Sequence, residues 1–72
     1  MLTNDDGTLT PRGESAAKRF AALVLKAHGD VPVRREALSP EAQAVLDGAG
    51  DALGVFTDIL IDPALRRDMA GE

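Results

Sequence analysis

The chain has no cysteine, tryptophan or tyrosine, a single histidine (His28), and only two phenylalanines, Phe20 and Phe56. Lack of cysteine removes disulfides, thiolate metal sites and cysteine nucleophiles together. With one histidine and no carboxylates grouped at ligand spacing, neither a metal nor a cofactor is expected. No apolar run approaches the roughly 18 residues of a membrane span. The opening Met1-Leu2-Thr3-Asn4-Asp5-Asp6-Gly7 is acidic and has neither the basic nor the apolar stretch of a secretory leader. These absences lead to the expectation of a cytoplasmic protein with no membrane partner.

What is present bounds the class. Seventy-two residues hold one domain at most. An apolar content of 44% with a net charge of −4 is too apolar and too weakly charged for a disordered chain. Twelve of the apolar residues are alanine, however, so large side chains are few. A core of this size supplies roughly 3–5 kcal/mol, and small chains usually add a disulfide, a metal or a partner. With the first two excluded, a partner chain remains.

The chain is punctuated by cap-plus-proline junctions. Thr10-Pro11 places a capping hydroxyl before a proline at the first helical position, where the missing N–H costs nothing. Ala16, Ala17, Phe20, Leu23, Val24 and Ala27 then recur at helical spacing. Gly29 follows as a stop, with Lys26 and His28 in the last turn, so a first helix is predicted over 11–28. Gly13 weakens its first turn. The connection 29–38 contains Pro32 and leaves room for one short helical turn over 33–38. Ser39-Pro40 opens a second helix. Ala42, Val45, Leu46, Ala49, Ala52, Leu53, Phe56, Ile59 and Leu60 share one face without a phase slip, although Gly48, Gly50 and Gly54 each cost about 1 kcal/mol relative to Ala. The unbroken phase predicts one helix over 40–61, with Asp47, Asp51, Asp58 and Asp62 on its opposite face. Asp62-Pro63 begins a short helix over 63–69 that presents Leu65 and Met69 and turns Arg66 and Arg67 outward. Residues 1–9 read as a flexible acidic arm, and 10–72 as a single helical domain.

The resulting fold class is all-α: an antiparallel helical hairpin plus a short C-terminal helix. The apolar arc of the second helix is too wide for one neighbour, which points to completion as a dimeric four-helix bundle. Phe20, Leu23, Val24, Leu46, Leu53, Phe56 and Leu60 are the candidate self-association and core seam. Charge is segregated along the chain, with net +4 over residues 12–35 and −6 over residues 36–72. Arg12, Arg19 and Lys26, seven residues apart, form a basic stripe, and with Asp47, Asp51 and Asp58 they make the candidate docking surface.

Catalytic readings are weak. Ser15 or Ser39 with His28 is the one nucleophile–base pairing available, and helix capping explains Ser39 better. The carboxylate pairs Asp47/Asp51 and Asp58/Asp62 lie on a polar face where nothing raises a pKa for acid–base work. Asn4-Asp5-Asp6-Gly7 fails the calcium-loop pattern, because Leu2 stands at the first ligand position and Gly13 where a Glu is needed. Asp51-Ala52-Leu53 lacks the attachment serine of phosphopantetheine carriers. Leu9-Thr10-Pro11-Arg12-Gly13-Glu14 is similar to the junction that ends the wing in winged-helix regulators. With ten residues before Pro11, that resemblance implies a dimerisation tail without its DNA-reading half. The expectation is therefore a small non-enzymatic protein–protein interaction module, regulatory, adaptor or accessory, that forms a homodimer or docks on a larger protein. The alternative is a small nucleic-acid-binding regulator using Arg12, Lys18, Arg19, Lys26, Arg34 and Arg35 on phosphates. A sequence pI near 4.8 and the lack of aromatics for base stacking rank it second.

Overall fold

A computed structural model describes residues 2–71. The fold is all-α. Among the described residues there are helices α1 (Pro11–His28), α2 (Pro40–Asp47), α3 (Leu53–Ile61) and α4 (Pro63–Met69), and no strand. Short 3₁₀ turns cover Arg35–Ala37 and Gly50–Ala52.

The three cap-plus-proline junctions act as starts. Thr10 Oγ1 accepts from the Gly13 amide at 3.1 Å, and Ser39 Oγ accepts from Ala42 at 3.2 Å. Asp62 Oδ1 accepts from Ala64 and Leu65 at 3.1 and 3.3 Å. Each satisfies amides that the first helical turn leaves without partners. Gly29 ends α1 with φ +66°, a conformation that favours glycine.

The core is a single cluster. Ala17, Phe20, Ala21 and Val24 of α1 meet Ala42 and Leu46 of α2, and Phe56, Ile59 and Leu60 of α3. Phe20 and Phe56 stack with centroids 5.2 Å apart at 25°. Helix α1 packs against all three other helices. Val33 and Leu38 close one end of the core, whereas Val31 is exposed.

The helix predicted over 40–61 is broken. Gly48 ends α2, and Gly50, the first residue of the 3₁₀ turn, takes φ +56°. A 3₁₀ turn holds about 3.0 residues rather than 3.6, so α3 starts in a new phase. Ala49 and Ala52 stay buried through the break, but Leu53, read as core, is turned out to 46% exposure. The four aspartates no longer share a face.

Arg66, read as outward, is fully buried, and α4 explains why. The carbonyl of Ile59 would be served by the amide four residues on, but residue 63 is proline and has none. The Ala64 amide, which would serve Leu60, is taken by Asp62. Arg66 serves both carbonyls, Nε donating to Ile59 O at 3.2 Å and Nη2 to Leu60 O at 2.8 Å beside the Val33 amide at 2.9 Å. Its third nitrogen donates to Gly29 O beyond the end of α1. A cation thus sits against the negative ends of α1 and α3. Burial lowers its pKa and Asp30 opposes that shift, but a guanidinium stays charged. Arg67 points outward as expected and pairs with Asp30.

The N-terminal stretch expected to be a flexible arm has a defined place. Asn4 N–H donates to Thr8 O at 2.7 Å and Gly7 N–H to Asn4 O at 3.0 Å, closing a small hairpin with an antiparallel bridge between Thr3 and Leu9. Gly7, at φ +88°, permits that turn. The hairpin folds back on α1: Leu2 O accepts from the Thr10 amide at 3.0 Å. A Cβ on Gly13 would lie 2.0 Å from that same oxygen. Glycine at 13, which looked like a weakness of the helix, is the gap the hairpin crosses. Gly13→Ala should therefore expel the hairpin and remove exchange protection from Asn4 and Thr10, while α1 gains about 1 kcal/mol of propensity. Retained protection at those amides in the variant would contradict the close approach.

Candidate functional site

Sequence and structure together single out the outer face of α3. Its sequence Leu-Gly-Val-Phe-Thr-Asp-Ile-Leu-Ile contains one charged residue, Asp58. A helix apolar nearly all round belongs inside a protein. Phe56, Ile59 and Leu60 do go inside. The opposite side does not: Leu53 is 46% and Ile61 59% exposed. Eight residues apart, they are about 12 Å apart along the axis with Thr57 between them, all on one side. Thr57 Oγ1 donates to Leu53 O at 2.9 Å, so its hydroxyl is engaged by the helix and its methyl completes an apolar stripe.

A groove of about 350 Å³ runs beside the stripe, between α3 and residues 33–36. Val33, Leu46 and Leu60 line it, and Arg34 and Glu36 stand on its far rim. Two contacts hold that rim in place. The Val33 amide donates to Leu60 O at 2.9 Å, and Arg35 pairs with Asp47 beside the end of α2.

The sequence-derived candidates fall into two sets. Phe20, Val24, Leu46, Phe56 and Leu60 are buried within one chain and Leu23 is half-buried, so this seam is the core. Leu53 alone among them is exposed. In the second set, Arg12, Arg19 and Lys26 are exposed along α1 and make no ion pair among the described residues. Arg12 and Arg19 border a shallow groove of about 240 Å³ with Ser15 and Ala16. Asp47 is taken by Arg35. Asp58 is exposed and has no ion-pair or side-chain hydrogen-bond partner among the described residues.

Asp51, the remaining member of the second set, is engaged within the chain. Its carboxylate accepts from the Leu2 amide at 3.0 Å, the Thr3 amide at 3.2 Å and Thr3 Oγ1 at 2.7 Å, clamping the hairpin to the break before α3. These donors, Thr3 hydroxyl first, lower its pKa from 3.8 to about 2. A depressed folded-state pKa means the clamp holds fully above pH 3.8 and is lost as pH falls through about 2. The Asp51 carboxyl resonance followed by NMR should titrate in that window, and Thr3→Val should move it up. Titration at 3.8 in both forms would rule the clamp out. Asp6-Gly7 between Thr3 and Leu9 is a recognised hairpin signal and could have revealed this element; nothing local marked Asp51 as its anchor.

Among the described residues no group of three or more His, Asp or Glu is placed to hold a metal ion. Ser39 and Asp62 cap helices, and His28 lies in the last turn of α1. No helix among the described residues is long and apolar enough to cross a membrane. Comparison with protein-family models, curated proteins and solved structures finds no match to this chain.

Proposed function

We propose that this chain is a small non-enzymatic protein–protein interaction module of the cytoplasm, a regulatory, adaptor or accessory subunit that binds through the outer face of α3. The observation that carries the reading is the contiguous stripe Leu53–Thr57–Ile61 on a helix with a single charge. Single exposed apolar residues are ordinary on any protein. Two large aliphatic side chains and a methyl aligned beside an apolar-lined groove form a patch, and patches rimmed by polar groups mark association sites. Arg34 and Asp58 supply such a rim.

A photo-reactive amino acid placed at Thr57 in the full chain tests this in cells. Illumination should give a protein adduct at position 57 and none at a control position, Ser15 on α1. Equal labelling at both positions, or none at 57, would contradict the reading.

The basic stripe favours a second reading, a nucleic-acid-binding regulator, since Arg12, Arg19 and Lys26 are free to meet phosphates. Asp5 and Asp6 on the adjoining hairpin oppose it. Arg12→Glu with Arg19→Glu should abolish such binding and keep the fold. Lack of wild-type binding to mixed-sequence DNA or RNA at low salt would end this alternative.

A further inference from the structure

Independently of what α3 binds, we infer that the N-terminal hairpin is a strap that holds the α2–α3 junction in its broken form. Its release lets residues 40–61 join into one helix.

The joined form is open to this sequence. Leu46, Ala49, Ala52, Phe56 and Leu60 keep one helical phase through the junction, so a continuous helix still presents an apolar face to α1. Its backbone hydrogen bonds also improve. In the broken form the amides of Ala49, Ala52 and Leu53 donate to carbonyls only three residues back, those of Leu46, Ala49 and Gly50. Such bonds have poorer geometry than the four-residue bonds of an α-helix. Gly48 and Gly50 weaken a continuous helix without forbidding it. The positive φ of Gly50 is likewise tolerated by glycine and not demanded by it. The choice between the two forms therefore falls to a contact from outside the junction.

The hairpin makes that contact, and the broken form is the one that receives it. Asp51 accepts from the Leu2 and Thr3 amides and from Thr3 Oγ1. Residues 2 and 3 are held in turn over the first turn of α1. Leu2 O takes the Thr10 amide and occupies the gap that Gly13 leaves, while Leu2 and Leu9 pack against the core. In a continuous helix over 40–61, Asp51 would stand about 150° from the centre of the apolar face, turned away from α1. The hairpin could not then reach it. The break brings Asp51 round to the hairpin, and three hydrogen bonds hold it there. Docked hairpin and broken junction thus form one state, and free hairpin with joined helix the other. Coupling of this kind is reciprocal, so whatever straightens the junction must also loosen the hairpin. Joining the helices would return Leu53 towards the apolar face, so the strap also sets the shape of the α3 stripe.

NMR on the full chain tests both directions, with far-UV circular dichroism confirming that each variant is folded. Gly13→Ala closes the gap under Leu2, and Asp51→Asn weakens the clamp, so each should release the hairpin. Exchange of the Asn4 and Thr10 amides should then accelerate by roughly tenfold or more. In the same samples the Cα shifts of Gly50, Asp51 and Ala52 should move to α-helical values. Conversely, Gly50→Ala strains a residue held at φ +56° but suits a helix, so it should straighten the junction from within. Asn4 and Thr10 should again lose protection, although residue 50 touches neither. A released hairpin with unchanged shifts at 50–52 overturns the inference. So does a folded Gly50→Ala chain whose Asn4 and Thr10 amides keep wild-type protection. A hairpin that neither Gly13→Ala nor Asp51→Asn releases overturns it as well.

Discussion

Phe56→Ala is expected to leave the chain largely unfolded at 25 °C. Phe56 is fully buried and stacks on Phe20, the only other phenylalanine, across the α1–α3 contact. Truncating a buried phenylalanine costs about 3–5 kcal/mol through lost transfer energy and the cavity left behind. That is comparable with all the stability expected of a core this small. Ala17, Ala21, Ala49 and Ala52, which share its core cluster, have no length with which to fill the hole. Phe56→Leu, which keeps most of the volume, should remain folded with a lowered midpoint. Urea unfolding followed by circular dichroism separates these outcomes. A folded Phe56→Ala chain within about 1 kcal/mol of wild type would show that the Phe20–Phe56 contact is not the centre of the core.

Arg66→Met is expected to be the second most damaging change, at about 3 kcal/mol or more. Methionine keeps the aliphatic stem but removes all the donors, leaving the carbonyl of Ile59 without its partner inside the protein. Each orphaned buried group costs about 1–3 kcal/mol. Leu60 O keeps its bond from the Val33 amide, so the damage concentrates at Ile59 and Gly29. Arg66→Lys should recover only part of the loss, because one ammonium cannot reproduce the fork that reaches three carbonyls. Hydrogen exchange should show the α3–α4 junction and the end of α1 loosening together. Arg66→Met with wild-type stability would mean that water serves these carbonyls equally well.

Why Arg66 was misread from the sequence, and helix starts were not, follows from the range of each signal. Thr10-Pro11, Ser39-Pro40 and Asp62-Pro63 state a start within two residues, and each hydroxyl or carboxylate caps as its spacing demands. The need for Arg66 arises one turn earlier, where Pro63 and Asp62 deprive Ile59 and Leu60 of their helical donors. A hydrophobic wheel counts only side chains and does not register an orphaned carbonyl.

The break before α3 was hidden for a related reason. Ala49 and Ala52 remain buried on either side of Gly50, so the apolar pattern looks continuous whether the chain is helical or turned. Only the positive φ of Gly50 and the tighter 3₁₀ turn change the phase, and glycine permits but does not require either. The proposed docking face depends on that detail. Leu53 was legible as a large apolar residue at helical spacing, yet its direction was fixed by the break, and with it which side of α3 was left uncovered. The basic stripe of α1 needed no such detail, because α1 is continuous from Pro11 to His28.

The most direct test of the α3 face as the association surface is light scattering of the purified chain over a concentration series, beside Leu53→Asp with Ile61→Asp. Both substitutions lie on the exposed surface and should leave helicity unchanged. The wild type should rise towards twice 7.5 kDa while the double variant stays at 7.5 kDa. Identical mass curves for the two proteins would contradict self-association through this face.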